Sequence, residues 1–179
     1  FVTGGAGFIG SHTCLLLLEK GFTLFVLDSF VTSSQKSLER VSLILRKKGI
    51  DTKEKIFLVK GDIKNIYDIE RVFMMSIELN KKIESVIHFA GLKSVAESVE
   101  KPQDYWENNV NGTINLLKIM EKFNCKKIVF SSSATIYGKS GKYSNIKEDA
   151  NIDPKNPYGE TKVVIEKILQ NLFLSSNSW

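Results

Sequence analysis

Short apolar runs alternate along the chain with longer segments whose apolar residues recur at helical spacing. The short runs predict five strands, at 1–3, 23–27, 56–60, 85–89 and 127–131. The longer segments predict helices at 9–20, 33–48, 66–79, 102–123 and 157–173, and a polar loop precedes the last of them at 143–156. Alternating strands and helices predict an α/β fold, a doubly wound parallel sheet with helices on both faces. Ligands of such sheets bind at the carboxyl ends of the strands.

A glycine-rich loop follows the first predicted strand. Gly4, Gly7 and Gly10 stand at every third position between that strand and the first helix. Glycine allows a tight turn, and it lets a pyrophosphate approach the N–H groups at the N-terminus of the helix. The context predicts a dinucleotide-binding fold of the Rossmann type rather than a mere turn.

An aspartate ends the second predicted strand. Asp28 lies 18 residues after Gly10, where a carboxylate is expected to bind the 2′-hydroxyl of a ribose. Because the same charge repels a 2′-phosphate, the predicted cofactor is NAD rather than NADP.

A serine, a tyrosine and a lysine form the candidate catalytic set. Tyr158 and Lys162 are four residues apart on one helical face, a spacing that by itself also arises by chance. A nearby ammonium favours the phenolate, so this tyrosine would exchange a proton with a sugar or alcohol hydroxyl. The stretch 131–133 (SSS) ends the fifth strand and should direct at least one hydroxyl into the crevice. Together with the glycine loop, the set indicates an enzyme.

Single polar residues give weaker signals. Asp62 follows the third strand and either binds an adenine amino group or forms a turn. Lys93 follows the fourth strand and either touches the cofactor or is solvated. Asparagine is disfavoured inside helices, so Asn108 and Asn109 predict a hydrogen-bonding role, either bracing loops or contacting the cofactor. We interpret His88 as structural.

Composition excludes several classes of function. The 179 residues are 42% hydrophobic and 25% charged, as in one globular domain spanning 1–179. No apolar run is long enough to cross a bilayer, and the net charge of +5 comes without a nucleic-acid-binding motif. Two cysteines predict neither a disulfide framework nor a metal site, so we expect a reducing, cytoplasmic compartment. Both ends look cut, because position 1 is Phe and no closing strand ends the chain.

Several stretches resemble one family of enzymes. The segments 3–10 (TGGAGFIG), 131–138 (SSSATIYG) and 156–162 (NPYGETK) resemble the extended short-chain dehydrogenases. Finer details at 10–13 (GSHT), 88–95 (HFAGLKSV) and 108–113 (NNVNGT) are similar to the UDP-glucose 4-epimerases among them. The resemblance runs nearly from end to end. It implies an NAD-dependent isomerase of UDP-sugars in galactose metabolism, a homodimer whose C-terminal substrate domain is absent from this chain.

The resemblance also implies roles for individual residues. Tyr158 would take the proton of the sugar 4-hydroxyl while hydride moves from C4 to the nicotinamide, and Ser133 would hydrogen-bond the reacting oxygen. Lys162 would bind the nicotinamide ribose, and substrate contacts would come from Lys93, Ser133 and Tyr158. Cofactor contacts would come from Gly4, Gly7, Phe8, Ile9, Gly10, Asp28, Ser29, Phe30, Val31, Thr32, Ser33, Asp62, Ile63, Phe89, Ala90, Gly91, Leu92, Lys93, Asn108, Tyr158 and Lys162.

The chain departs from the family's pattern in places. Ser29 and Thr32 stand where the family usually has asparagine, which weakens two expected cofactor contacts. Dehydratases usually carry an Asp-Glu pair where Ala134 and Thr135 stand, which argues against a dehydratase. Two alternatives stay open: another nucleotide-sugar epimerase or decarboxylase of the same family, and a non-catalytic NAD-binding module. The missing length implies that the chain alone is inactive.

Overall fold

The predicted parallel sheet is present in the computed structural model, which describes residues 1–138, 145–176 and 179. Its strands are β1 (Val2–Thr3), β2 (Leu24–Asp28), β3 (Ile56–Lys60), β4 (Val86–His88) and β5 (Ile128–Phe130). They pair in parallel in the order β3-β2-β1-β4-β5. The chain therefore winds outward from β1 to β3 and then returns to the other side of β1, which confirms a doubly wound sheet. The reversal makes the carboxyl ends of β1 and β4 the expected ligand-binding position.

The helices follow the predicted order, with one interruption and two additional elements. They are α1 (Phe8–Glu19), α2 (Lys36–Lys47), α3 (Ile66–Glu78), α4 (Val95–Glu100), α5 (Pro102–Tyr105), α6 (Gly112–Lys122) and α7 (Pro157–Ser176). The predicted helix 102–123 is interrupted by a π-helical segment, Trp106–Asn111. Helix α4 and a 3₁₀ turn, Ala134–Tyr137, were not predicted. Residues 143 and 144 of the predicted polar loop lie outside the described residues.

The chain divides into two compact units. The first unit comprises Phe1–Ala90 and Asn115–Phe130 and contains the whole sheet. The second comprises Gly91–Ile114 and Ser131–Trp179 and contains α4, α5, the π-helical segment and α7.

Apolar residues cover both faces of the sheet in the first unit. On one face, Val2 and Val26 pack with Cys14 and Leu18 of α1 and Leu45 of α2 in one buried cluster. Successive strand residues point to opposite faces, so the residues that alternate with these point toward the other side. There the ring of Phe73, on α3, stacks on Phe123 at 5.0 Å and meets Phe1 edge-on at 5.7 Å between ring centroids.

The second unit is built around the start of α7. Pro157 occupies the first helical position, where a backbone N–H would have no acceptor within the helix. The absence of an N–H in proline therefore costs no hydrogen bond there. The Asn156 side chain accepts a hydrogen bond of 2.8 Å from the N–H of Gly159 and thereby caps the helix. Gly159 must be small, since a Cβ placed there would lie 3.0 Å from the carbonyl oxygen of Thr135. These contacts fix the turn that carries Tyr158.

Candidate functional site

The glycine loop after β1 has the tight turn that its spacing predicts. Gly4 has a φ of +67°, which strongly favours glycine, and a Cβ placed on it would lie 2.6 Å from the N atom of Ala90. A Cβ placed on Gly10 would lie 2.2 Å from the carbonyl oxygen of Gly4. Backbone therefore contacts backbone closely at both positions, and no larger residue fits without displacing the loop.

The same geometry shows a restricted glycine that the sequence pattern did not single out. A Cβ placed on Gly5 would lie 2.6 Å from Cγ1 of Val26, whereas one on Gly7 would meet only the Gly4 oxygen, at 3.3 Å. Gly5 is thus required because the loop packs directly on β2. The double glycine at 4–5 is the sequence signal that marks this contact.

The N-terminus of α1 is open to a ligand. Its cap residue, Gly7, has no side chain to bond the helix, and the first turn contains no acidic residue. Phe8 and Ile9, the first two helical residues, are 75% and 59% exposed. An uncapped N-terminus presents N–H groups and a partial positive charge, the features that bind phosphate groups. The predicted pyrophosphate position is therefore structurally suitable.

Asp28 ends β2 as predicted, but protein groups already surround its carboxylate. The side chain accepts hydrogen bonds from the N–H of Ala6 at 2.9 Å, the N–H of Phe30 at 2.9 Å and the hydroxyl of Ser33 at 2.6 Å. It is only 7% exposed. A carboxylate has about four acceptor positions, so three bonds leave about one for a ribose hydroxyl. Asp28 therefore also joins the glycine loop to the loop after β2.

The loop after β2 carries the next group of predicted cofactor residues. Phe30 has a φ of +60°, which is unusual for a residue other than glycine, and its ring packs against the apolar cluster beside β2. Val31 and Thr32 are exposed, and Ser29 and Ser33 are half-buried. The Ser33 hydroxyl bonds Asp28, and α2 begins three residues later than predicted, at Lys36.

After β3, the structure favours the simpler of the two interpretations of Asp62. Its carboxylate accepts a hydrogen bond of 2.9 Å from the N–H of Lys64 and pairs with the Lys64 ammonium at 3.9 Å. Ile63 is 4% exposed, and its carbonyl accepts from the Asn115 side chain at 3.4 Å. Asp62 therefore forms a turn in this structure, and its contact with adenine stays a prediction.

A buried polar chain joins the ends of β1 and β4. The N–H of Ala90 donates to the hydroxyl of Thr3 at 3.3 Å, and that hydroxyl contacts Nδ1 of His88 at 2.6 Å. His88 is 1% exposed and its ring lies against Phe130. The structural interpretation of His88 is confirmed. The predicted cofactor residues Phe89 and Ala90 follow His88 directly in the chain.

In the second unit, the lysine of the candidate catalytic set is held firmly. Tyr158 lies in the first turn of α7, and the Lys162 ammonium one turn later is 5.8 Å from the centre of the Tyr158 ring. The ammonium donates a hydrogen bond of 2.9 Å to the carbonyl oxygen of Ser131. Lys162 therefore lies close to Tyr158 and also contacts the serine stretch through the backbone of Ser131, while the catalytic roles of the set stay a prediction. Lys162 is 5% exposed, and this burial lowers its pKa from 10.5 to about 8.

The Ser133 hydroxyl is arranged to donate a hydrogen bond. Its oxygen accepts from the N–H of Thr135 at 3.2 Å and from the Thr135 hydroxyl at 2.9 Å, as the cap of the 3₁₀ turn. With both acceptor positions used, its own proton is directed elsewhere, and no described residue accepts it. Such a hydroxyl is suited to an oxygen atom of a substrate.

One protein family matches almost the whole chain. The family described as GDP-mannose 4,6 dehydratase matches residues 1–178. The chain belongs to this family. In the described part of the chain, no helix is long and apolar enough to cross a membrane. The same residues contain no group of three or more His, Cys, Asp or Glu that could hold a metal ion.

The chain is similar in sequence to epimerases from a plant and from a bacterium. UDP-glucose 4-epimerase 3 of Oryza sativa subsp. japonica is 49% identical over 171 residues, which are 96% of this chain and 43% of the relative. UDP-glucose 4-epimerase of Bacillus subtilis (strain 168) is 45% identical over 178 residues, or 99% of this chain and 49% of the relative. The crystal structure of the Bifidobacterium longum UDP-glucose 4-epimerase, in complex with NAD+ and UDP, matches with a TM-score of 0.85 and 42% identity over 99% of this chain and 50% of that chain. The chain thus spans about half the length of the relatives it matches.

Two residues of this family member are more important structurally than the sequence indicated. The side chain of Asn109, which is 1% exposed, bonds the backbone N–H and the carbonyl oxygen of Leu92. Its neighbour Asn108, predicted to bind cofactor, is half-buried, and its side chain has no hydrogen bond to another described residue. Tyr105 is fully buried, donates to a carboxylate oxygen of Glu97 at 3.0 Å and packs edge-on at 6.4 Å against the Tyr158 ring. The helix propensity of asparagine pointed to Asn109, but no sequence signal joined Tyr105 to Tyr158.

Proposed function

We propose that this chain is the NAD-binding and catalytic part of a UDP-glucose 4-epimerase, which interconverts UDP-glucose and UDP-galactose. The observation that carries the proposal is the buried ammonium of Lys162, positioned by Ser131 and 5.8 Å from the Tyr158 ring. The named relatives support the substrate class, and the Bifidobacterium structure, in complex with NAD+ and UDP, supports the cofactor.

The first unit fits a dinucleotide. Glycine at positions 4 and 10 leaves no side chain at the two close backbone contacts of the loop, and the open start of α1 offers N–H groups to a pyrophosphate. Asp28 would use its remaining acceptor position for a ribose hydroxyl and would disfavour a 2′-phosphate. We therefore propose NAD and not NADP.

The second unit supplies the acid–base chemistry. Tyr158 would remove the proton of the sugar 4-hydroxyl, and the Lys162 ammonium, 5.8 Å from the centre of its ring, would supply the neighbouring positive charge. Ser133 would donate its free hydroxyl proton to the reacting oxygen. Bound NAD would take up hydride from C4 of the sugar and return it to the opposite face. When hydride returns to C4, Tyr158 would give the proton back to the same oxygen. The reaction therefore neither takes up nor releases a net proton.

Two measurements test the proposal on different forms of the protein. Calorimetry on the 179-residue chain should show NAD binding and no binding of NADP. In the longest natural form of the protein, Tyr158→Phe should abolish conversion of UDP-galactose and leave NAD bound. Failure of the unmodified natural form to convert UDP-galactose would refute the substrate, and near-normal conversion by Tyr158→Phe would remove Tyr158 from the mechanism.

We further propose that the 179-residue chain alone does not epimerise, since it spans about half the length of its relatives. Clear conversion of UDP-galactose by this chain would refute that. We also infer a homodimer working in the cytoplasm, in galactose metabolism. Two free, buried cysteines support a reducing compartment.

A further inference from the structure

A side chain of α6 holds the turn that follows β3. Asn115 is half-buried, and its Nδ2 donates to the carbonyl oxygen of Lys64 at 2.9 Å and to that of Ile63 at 3.4 Å. An amide nitrogen carries two N–H groups, so one side chain serves both carbonyls. The bonded residues are 51 and 52 positions apart in the chain and lie within the first unit. Asn115 therefore fixes the backbone of the turn 62–64 from outside it.

The fixed backbone orients the carboxylate of Asp62. The N–H of Lys64 donates to Oδ1 of Asp62 at 2.9 Å, so the residue whose carbonyl Asn115 bonds also bonds this carboxylate. On the other side, the N–H of Asp62 donates to Oδ2 of Asp68, in the first turn of α3, at 3.0 Å. A carboxylate has about four acceptor positions, so the bond to Lys64 leaves Asp62 acceptor positions for a ligand.

The turn lies beside the predicted ribose contact. Lys60, the last residue of β3, pairs with Asp28 at the end of β2, and the N–H of Gly61 donates to the Asp28 carbonyl oxygen at 3.1 Å. The proposed pyrophosphate position is at β1 and the ribose position at β2, so the base attached to that ribose would continue outward to β3. The turn 62–64 is therefore where adenine would lie.

The turn presents a donor beside an acceptor. Ile63 is 4% exposed, and its N–H has no acceptor among the residues that the structure describes. A buried N–H without a partner is rare and calls for a ligand or water. Adenine matches this pair, because its amino group donates beside a ring nitrogen that accepts. Hypoxanthine matches neither, since it has a carbonyl in place of the amino group and an N–H in place of that ring acceptor.

We propose that Asn115 is a positioning residue for cofactor specificity, which holds the turn 62–64 so that the turn distinguishes adenine from a purine without the amino group. It acts through the turn, because its side-chain nitrogen bonds the carbonyl oxygens of Ile63 and Lys64. The inference rests on the proposed function in taking NAD as the ligand. A site that hydrogen-bonds one group of a ligand rejects an analogue without that group, since its own polar groups then stay unpaired.

Two dinucleotides that differ only in the purine base test this role. Calorimetry on the longest natural form, freed of bound nucleotide, should show that the unmodified protein binds NAD about tenfold or more tightly than nicotinamide hypoxanthine dinucleotide. Asn115→Leu removes both donors and keeps the branched shape of the side chain. It should bind NAD about tenfold more weakly, and its preference for NAD should fall to within about threefold. The matched control is Ser76→Ala in the last turn of α3, which removes another side-chain bond to a carbonyl of the first unit, at 2.7 Å to Phe73. Its affinities for both dinucleotides should stay within about twofold of those of the unmodified protein.

Hydrogen exchange gives a second readout that needs no ligand. The Lys64 amide, which bonds Asp62, should exchange faster in Asn115→Leu than in the unmodified protein and in Ser76→Ala. Equal exchange in all three would overturn the hold of Asn115 on the turn. An undiminished preference for NAD in Asn115→Leu, or no preference in the unmodified protein, would overturn the role in specificity.

The same measurements separate this inference from the proposed function. If the unmodified protein binds neither dinucleotide, the proposed cofactor fails and the role of Asn115 in specificity fails with it. If the unmodified protein prefers NAD, Asn115→Leu loses that preference and no UDP-sugar is epimerised, only the proposed substrate fails and the role of Asn115 stands.

Discussion

The buried ammonium of Lys162 should make the stability of this chain depend on pH in a defined direction. Its pKa is about 8 in the folded chain and 10.5 when solvated, because burial disfavours the charged form. Between these two values the unfolded chain binds more protons than the folded chain, so stability rises with pH through this window. Below the folded pKa the cost of burying the charge is fully present.

The size of this effect follows from the two pKa values. Linkage gives a cost of about 3 kcal/mol at about pH 7, which falls to about 1 kcal/mol at about pH 9.5. The unmodified chain should therefore gain about 2 kcal/mol over this range from Lys162 alone. Lys162→Met removes the charge but retains the length of the side chain. It also leaves the Ser131 carbonyl without this donor, a loss of about 1 kcal/mol that does not vary with pH.

Urea unfolding of both chains, followed by circular dichroism at about pH 7 and about pH 9.5, measures the effect. Other groups titrate in both chains, so the difference between the two chains isolates Lys162. At neutral pH, Lys162→Met should have a larger free energy of unfolding than the unmodified chain. This difference between the two chains should shrink by about 2 kcal/mol at about pH 9.5. Parallel pH dependence in the two chains would show that the Lys162 ammonium is solvated and that its pKa is not lowered.

Two further substitutions test the first unit. Gly10→Ala should destabilise the chain by about 3 kcal/mol or more in thermal unfolding, because its Cβ would lie 2.2 Å from the Gly4 oxygen. The control Gly49→Ala, whose Cβ would have no atom within 4 Å, should cost only about 1 kcal/mol, for its positive φ. Equal losses of stability in the two variants would contradict the close contact at Gly10. Asp28→Asn should weaken NAD binding about tenfold or more in calorimetry, since the amide cannot accept all three bonds, and the exposed Asp51→Asn should leave NAD affinity unchanged.

The order of elements was predictable because it depends on local patterns. Short apolar runs gave every strand to within two residues, from Val2–Thr3 to Ile128–Phe130. The missed helix α4 had a local signal, since Ser94 and Glu97 form the S-x-x-E pattern of a helix start and the Ser94 side chain accepts from the Glu97 N–H. The π-helical segment had no comparable start signal, since such segments occur as rare single-turn insertions inside α-helices.

The candidate site was predictable in its residues and less so in their partners. The spacing of Tyr158 and Lys162 fixed their shared helical face. It did not show that Lys162 bonds Ser131, because that contact joins residues 31 positions apart in the chain. Asp28 shows the same limit: its place at the end of β2 was clear, but its bonds to Ala6 and Ser33 depend on how two loops fold.

The energetic cost of Lys162 bears on the alternative that the tyrosine–lysine spacing arose by chance. A lysine of purely structural value on an amphipathic helix normally extends its ammonium into solvent, where its pKa is not lowered. Here the side chain is 5% exposed, and at neutral pH the buried charge costs about 3 kcal/mol, a large part of the stability of a typical domain. An apolar residue of similar length would avoid this cost. Groups that are unfavourable for stability and perturbed in pKa concentrate at functional sites, so the burial of Lys162 favours the catalytic interpretation over chance.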